Sequence, residues 1–479
     1  METLGITHSV CEKCRAIVPA KVVTDGTNVF FRKFCREHGE TENFVYSDLR
    51  DYLASQRYVK PAWVPLEFSG NLEKTCPDGC GFCGRHEQHL CMPIVEITSR
   101  CNLACPVCLV DAGHQWDMTM EEFRSLLDRL VRAERQIEVL NLSGGEPLLH
   151  PQILAFVDEA LSRKEVVRVS ISTNGLQFLS DRELLRELHA RNVVISLQFD
   201  GFEEKPYEIL RGKRLLREKL QILNMLAEEE ISTSLTMTAA GGVNDNQFRK
   251  MLDYLFSNRH VVSLMIQPIA FVGRGANLAD KVRRLTIPDI TRALGKAQHP
   301  FVATSHFLPL PCSHPLCFSL AFYLVLSDGR AIAVNKLTKA DSYMDSLANR
   351  VIFGLDRQEH IRLREMIYEL WSGPAGSAPD SEAVLRTLRD ILSEISSVSF
   401  EPRQAFTLAE RRVKSIFIHA FQDAQTFDLA RARRCCNAYP QPDGRLIPAC
   451  VHNIFLRKPL SSRQAKVTKR KTVEEVRDA

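Results

Sequence analysis

Three cysteines, Cys101, Cys105 and Cys108, fall within eight residues in the stretch IVEITSRCNLACPVC. Thiolates at that spacing can face one ion or cluster, whereas such short loops are awkward for disulfides. No obvious fourth partner completes the set. Structural metal sites close with four ligands, and catalytic ones keep a position open. Three thiolates can hold three irons of a [4Fe–4S] cluster and leave the fourth for a small molecule.

Twelve of the 15 cysteines lie elsewhere. Near the start, CxxC at Cys11 and Cys14 precedes two β-rich runs, AKVVTD and NVFFRKF, which flank a turn at Gly26, and CxxH follows at Cys35 and His38. Those four side chains can occupy the corners of a tetrahedron, as in a zinc ribbon or rubredoxin-like knuckle holding zinc or one iron. Cys76, Cys80 and Cys83 repeat the CxxxCxxC spacing, but Cys91 is a fourth ligand close by, and the first long strand comes after them. They are expected to form a closed auxiliary [4Fe–4S] site with Cys91, while His86 and His89 in the same loop are expected to be solvated. The distal set is Cys312 and Cys317 with Cys435, Cys436 and Cys450. Five is one too many for a closed cluster, so the expected ligands are Cys312, Cys317, Cys436 and Cys450, with Cys435 as substitute.

The elements that position these residues can be read from periodicity. The apolar, β-branched runs PIVEIT, IEVLNLSG, VVRVSIST, VVISLQFD, STSLTMTA and VVSLMIQPI suit parallel strands covered on both faces. Between them lie amphipathic stretches with capping-box spacing at Thr119/Glu122, Ser180/Glu183 and Asn244/Gln247. About six β–α units predict an α/β fold, a partial (β/α)6 TIM-type barrel with its chemistry at the C-terminal strand ends. Residues 355–430 look helical, broken by SGPAGSAPDSE, and the tail beyond Arg457 is polar. The expected divisions are 1–60, the knuckle; 61–92, the auxiliary cluster segment; 93–285, the barrel; and 286–479, a helical region with the second auxiliary cluster.

Composition excludes several classes. The net charge is +4, from 62 basic and 58 acidic residues, and aromatics make up 8%, which argues against a nucleic-acid partner. The longest apolar run, Cys317 to Leu326, is about half of what a bilayer requires. No charged segment leads into an apolar run at the start, so a cytoplasmic protein is expected.

CNLACPVC after a first strand, GGEP at Gly144–Pro147 after a second and STNG at Ser172–Gly175 after a third resemble the radical S-adenosylmethionine (SAM) enzymes. The resemblance implies that the methionine end of SAM chelates the open iron. An electron from the cluster then cleaves the sulfonium to a 5′-deoxyadenosyl radical, which abstracts hydrogen from a substrate C–H bond. A ferredoxin- or flavodoxin-like donor would supply that electron. Gly144 and Gly145 would let the backbone approach the ligand, and Glu146, beside Pro147, would accept from its ammonium group. Asn174, Ser196 and Gln198 would meet ribose hydroxyls. Asp200, Gln267 and Arg274 are further candidates near the adenosine or substrate. The superfamily usually carries an aromatic residue before the third cysteine, where this chain has Val107.

The run from Cys76 to Gly113, with VVISLQFDGF, YEILRG, QPIAFVGR, LPLPCSHPLC and CCNAYPQPDGRLIPAC, is similar to one branch, the class D methyltransferases and archaeal tetraether lipid synthases. That likeness implies one mononuclear iron or zinc, the SAM-binding cluster and two auxiliary [4Fe–4S] clusters. The leading expectation is coupling of lipid alkyl chains by carbon–carbon bond formation. It needs a long apolar groove, lined by 317–326 or the helices after 355, and would bring transient contact with a membrane. The alternative is C-methylation of a pterin-like or heteroaromatic small molecule, in a compact polar pocket. A third reading, an iron–sulfur electron carrier, gains nothing from an open iron.

Overall fold

The computed structural model describes residues 1–457 except 72, 74, 75, 78, 111–115, 338, 339, 351–380, 398–402, 405, 406, 408, 409 and 411. The expected helices from 355 to 380, most of the SGPAGSAPDSE connection and the tail from 458 lie outside the described residues.

At the N-terminus, β1 (Glu2–Val10), β2 (Ile17–Thr24), β3 (Val29–Cys35) and β4 (Gly39–Tyr46) form an antiparallel meander in chain order. The sequence indicates the middle two. The outer strands escape it because their outward faces are polar and carry little β signal. Lys33, 1% exposed, donates from Nζ to the Ala424 carbonyl at 2.7 Å and ties the meander to the far end of the chain.

Six strands follow: β5 (Met92–Thr98), β6 (Ile137–Gly144), β7 (Val166–Thr173), β8 (Val194–Gln198), β9 (Thr233–Ala239) and β10 (Val261–Pro268). They pair in parallel, each with the next, as the apolar runs predict. The later chain is helical over Ser381–Ser397, as expected, but is not helical throughout. It supplies β11 (Leu308–Pro309), β12 (Phe318–Val325), β13 (Ala331–Ala333), β14 (Val413–His419), β15 (Asn437–Pro440) and β16 (Leu446–Pro448) to the same sheet. β14 lies parallel to β10 and β15 parallel to β5, so both edges of the six-stranded set are extended. β12 and β16 pair antiparallel outside them, and the sheet does not close on itself. A helical expectation failed for β14 because VKSIFIH sits among charged residues that blur its alternation.

Helices cover the outer face. They include α1 (Leu49–Ser55), α2 (Met120–Glu134), α3 (Ile153–Ser162), α4 (Arg182–Ala190), α5 (Glu204–Arg211), α6 (Leu216–Glu228), α7 (Phe248–Ser257) and α8 (Ile287–Lys296). Thr119 and Glu122 form the capping box of α2. At α4 the cap is Asp181, one residue past the expected Ser180, since its carboxylate accepts from Leu184 N–H. Asn244 does not cap α7. Its amide is held by Ala240 N–H and by the Asp200 and Thr238 carbonyls, and the helix begins after Gln247. Phe123, Leu127 and Leu130 of α2 recur at helical spacing and are fully buried, Phe123 against Phe156 of α3 at 4.6 Å between ring centroids. Each such side chain contributes about 2 kcal/mol of burial.

Candidate active site

Cys101, Cys105 and Cys108 sit on the loop leaving the C-terminal end of β5. Burial, then Glu146 and the thiols of Cys105 and Cys108, push the Cys101 thiol up to about 11, which places the three sulfurs in one electrostatic neighbourhood. Arg100 grips Asp117 through Nε and Nη2, at 2.9 and 2.7 Å from Oδ2, and Thr98 Oγ1 donates to Asp117 Oδ1 at 2.6 Å. The loop is therefore clamped at its base.

The GGEP turn meets this loop from β6. Gly145 N–H donates to the Thr98 carbonyl at 2.8 Å and Glu146 N–H to the Arg100 carbonyl at 2.6 Å. A Cβ on Gly144 would fall on the Thr98 carbonyl oxygen, and one on Gly145 on that of Arg100. Gly144 also has φ +136°, which L side chains rarely adopt. The glycines thus let the turn reach the cysteine loop. Pro147 opens a short 3-10 turn behind them.

Glu146 is 1% exposed, and both its oxygens are engaged. Oε1 accepts from Thr173 Oγ1 at 2.6 Å and Leu148 N–H at 3.2 Å; Oε2 accepts from Asn174 N–H at 2.8 Å. Burial pushes its carboxyl upward and these donors oppose it. Glu146 fastens the end of β6 to the end of β7. Asn174, at the end of β7, donates from Nδ2 to Asn102 Oδ1 on the cysteine loop at 2.7 Å.

Three residues that sequence reasoning passed over complete the frame. Lys219 of α6 is fully buried and donates to the Asn174 carbonyl at 2.5 Å, and to the Gln198 carbonyl and Gln198 Oε1, each at 2.8 Å. Burial is the main influence, and it brings Lys219 down to about 7 against the pull of Asp200. Arg211 makes a two-bonded pair with Asp200, at 2.7 and 2.9 Å, and also lies beside Cys105, whose thiol burial raises and Arg211 lowers. Asn102 is the third. A lysine on the buried stripe of α6 was the available signal for Lys219.

A cavity of about 360 Å³ runs along the concave face of the sheet, below the cysteine loop. Alternate residues of successive strands line it: Asn141 and Ser143, Ser170 and Ser172, then Ser196, Ser234, Thr236, Ser263 and Gln267. Their groups bond sideways in a belt, with Asn141 Nδ2 to Ser170 Oγ at 2.8 Å, Ser196 to Thr236 at 3.0 Å and Ser263 to Ser234 at 2.6 Å. Phe322, Phe417, Phe421 and Tyr439 face them from the added strands and loops. The Arg168–Glu410 pair, 2.6 Å, lies at the floor. Ser196 and Gln267 line the cavity, and Gln198 is held by Lys219 and Asp200. Arg274 N–H donates to the Cys108 carbonyl at 3.0 Å. Val107, 7% exposed, is buried among Leu210, Ala240 and Ile269. Phe318–Val325 is a core strand, of which only Phe322 lines the cavity.

Away from the cavity, Cys11, Cys14, Cys35 and His38 bring their ligand atoms within 4.8 Å of one another, with both Cys11 and Cys35 sulfurs 3.6 Å from His38 Nδ1. A tetrahedral ion with metal–sulfur bonds of about 2.3 Å sets ligands roughly 3.8 Å apart, so the quartet fits a single zinc or iron. Cys35→Ser is expected to remove one metal ion per chain without changing the iron bound elsewhere; metal analysis of the variant checks this. The remaining thiols sort differently from the expected fours. Cys76, Cys80 and Cys83 influence one another. Cys91 instead meets Cys312 and Cys436. Cys435 lies with Cys317 and Cys450. The reason is tertiary: Cys91 opens β5, and β15, which follows Cys436, pairs beside it.

Two family models match the chain, the radical SAM superfamily over residues 95–255 and the HMPTM N-terminal zinc ribbon domain over residues 3–47. The chain is 26% identical to the 7,8-dihydro-6-hydroxymethylpterin dimethyltransferase of Methanocaldococcus jannaschii, covering 95% of each. It is 28% identical to the mycofactocin maturase MftC of Mycobacterium ulcerans over 39% of this chain and 49% of that one. Among solved structures, methylornithine synthase matches with TM-score 0.34 and 15% identity, over 43% of this chain and 63% of that one. The three neighbouring thiols, with no fourth protein ligand beside them among the described residues and backbone turns fastened behind, fit the family's SAM-binding [4Fe–4S] cluster. When bound, that cluster supplies the electron that cleaves SAM. The family models and the relative aligned over 95% of the chain agree that residues 95–255 form a radical SAM domain behind an N-terminal zinc ribbon, and that the chain resembles the branch of the class D methyltransferases.

Proposed function

We propose that this chain is a radical SAM C-methyltransferase acting on a pterin-like heteroaromatic small molecule. The cavity carries this reading. At about 360 Å³ it is compact, and it has a hydroxyl and amide belt on one side and aromatic rings on the other. A flat ring bearing donors and acceptors at its edge suits both walls, since its faces can stack and its rim can bond. The likeness to a pterin dimethyltransferase over nearly the whole chain points the same way.

Coupling of lipid chains would call for a long apolar groove. The 317–326 run that was to line it is core strand, of which Phe322 reaches the cavity, and the other expected lining, the helices after 355, lies in part outside the described residues. In this reading Cys101, Cys105 and Cys108 hold the SAM-binding cluster. Asn174, Ser196 and Gln267 border adenosine or substrate, and the other thiols of the barrel hold auxiliary iron–sulfur centres. Cys317 and Cys450 sit behind the cavity wall, with Ala420 N–H donating to the Cys317 carbonyl at 2.8 Å and Gln422 N–H to Cys450 Sγ at 3.2 Å. An electron could pass there without solvent contact.

The test is anaerobic. Reconstituted protein, SAM, a strong reductant and a folate-type one-carbon donor are offered 6-hydroxymethyl-7,8-dihydropterin in one vessel and a dialkyl glycerol lipid in another. Mass spectrometry should find 5′-deoxyadenosine and a pterin heavier by one or two methylene units. A coupled lipid with unchanged pterin would overturn the assignment.

A further inference from the structure

The N-terminal meander grips one loop of the barrel from beside its own metal quartet. Ser9, two residues before Cys11, is fully buried and donates from Oγ to the Phe427 carbonyl at 2.6 Å. Lys33, two residues before Cys35, donates from Nζ to the Ala424 carbonyl at 2.7 Å. Thr7 Oγ1 donates to Asp428 Oδ1, also at 2.6 Å. Side chains two apart on a strand share a face, so Lys33 and Cys35 of β3 point the same way. An ion that draws Cys11 and Cys35 together therefore sets the spacing of the two donors just behind them. A small ribbon takes much of its folding energy from such an ion.

The gripped loop, 420–428, serves two parts of the site. Phe421, at its start, lines the cavity. Asp423 is fully buried, and its Oδ1 accepts from the N–H groups of Gln425 and Thr426 at 3.0 and 3.1 Å, which shapes the loop itself. Its Oδ2 accepts from Arg284 Nη2 at 2.7 Å and from Phe271 N–H at 2.8 Å. Phe271 belongs to the turn that leaves β10. Two residues on, a Cβ at Gly273 would stand 2.7 Å from the Cys108 carbonyl oxygen, and Arg274 N–H donates to that oxygen at 3.0 Å. The Arg284 guanidinium lies over the Phe271 ring, 4.6 Å from its centroid, and holds the same turn.

A continuous path therefore joins the ribbon to the third cysteine, through Lys33, Ala424, Asp423, Phe271 and Arg274. Burying an ammonium group and a carboxylate is costly, and both Lys33 and Asp423 fasten the one loop that borders cavity and cysteines alike.

We propose that Ser9, Lys33 and Asp423 are positioning residues, through which the ribbon's bound ion holds the cavity wall at Phe421 and the turn behind Cys108 in place. The ion's part in this is mechanical rather than electronic. The proposal rests on the quartet binding an ion and on the SAM-binding role of Cys108, and it is independent of which substrate fills the cavity.

The experiment is hydrogen–deuterium exchange on the anaerobically reconstituted full-length protein, with metal analysis and the kinetics of SAM cleavage measured beside it. Lys33→Met keeps the quartet but cannot donate, whereas Cys35→Ser loses the ion. In both, peptides spanning 269–274 and 420–428 should exchange about tenfold faster, while those of β6 to β8 stay as in the parent. The Michaelis constant for SAM should rise about threefold or more in both, with a smaller change in kcat. Because the two changes act along one path, the double variant should be no worse than Cys35→Ser alone. A Cys35→Ser protein that has lost its ion yet exchanges like the parent would overturn the proposal, as would unchanged exchange in Lys33→Met. So would a fall in kcat of Cys35→Ser with exchange and Michaelis constant unchanged, the mark of an electron relay. Should Cys35→Ser fail to fold, Lys33→Met and Ser9→Ala, with the quartet intact, must both show the faster exchange or the proposal falls. A parent that makes no 5′-deoxyadenosine would sink the radical reading, while the exchange comparison still decides whether the ribbon holds the loop.

Discussion

Gly145→Ala is expected to destabilise the folded chain by about 3 kcal/mol and to reduce 5′-deoxyadenosine formation to background. The added methyl would land on the Arg100 carbonyl, with the Ser99 carbonyl oxygen 2.9 Å away. These are backbone atoms clamped by the Arg100–Asp117 pair, so neither side can yield cheaply. Relief would come from pushing the turn off the cysteine loop. That breaks the bonds from Gly145 N–H and Glu146 N–H and separates the three thiols from their support. Gly144→Ala should be at least as severe, because its φ of +136° adds backbone strain to the same clash. Gly5→Ala, in β1 with nothing within 4 Å of its would-be Cβ, is the control and should change stability by less than about 0.5 kcal/mol. Urea unfolding midpoints and iron content read the first effect; nucleoside yield reads the second. A Gly145→Ala protein with the iron and turnover of the parent would refute the account of GGEP as a loop brace.

The second large effect is expected at Lys219. Methionine there keeps the length but cannot donate. It would leave the Asn174 carbonyl, the Gln198 carbonyl and Gln198 Oε1 without their ammonium partner. Unsatisfied buried acceptors cost about 1–3 kcal/mol each, partly offset because the desolvated charge is also removed; a net loss of about 3 kcal/mol follows. The ends of β7 and β8 would no longer be joined, and Asn174 would lose its position against Asn102. The Michaelis constant for SAM should therefore rise roughly tenfold or more, with a smaller fall in kcat. Steady-state rates over a range of SAM concentrations separate the two. An unchanged Michaelis constant with intact stability would mean that the strand ends hold their geometry without this lysine.

Lys219 and Gly145 also show what the sequence could and could not disclose. The six parallel strands were legible because each is an unbroken β-branched run, and the three-cysteine site because its ligands are local. GGEP was legible as a motif but not in its use: whether a glycine makes room for a ligand or for its own chain depends on which backbone lies opposite. Glu146 looked available in sequence, yet Thr173 and Asn174 from the next strand occupy it. The sorting of the distal thiols was least legible. Nothing between Cys91 and Cys436 announces that β15 will lie along β5, and that pairing alone brings their thiols together. Pairings so distant along the chain are set by the whole sheet.

That same pairing has a consequence for how the molecule is made. β5 emerges from the ribosome roughly 340 residues before its neighbour on the outer side, β15. At about 5–20 residues per second the interval is on the order of half a minute. Through that time the outer edge at Met92 and Pro93 lacks its partner strand, a short template for pairing with a foreign strand. Any nascent chain cut short before Asn437 keeps this sticky border permanently. Products truncated there should aggregate, and only chains extended past Pro440 bury the seam.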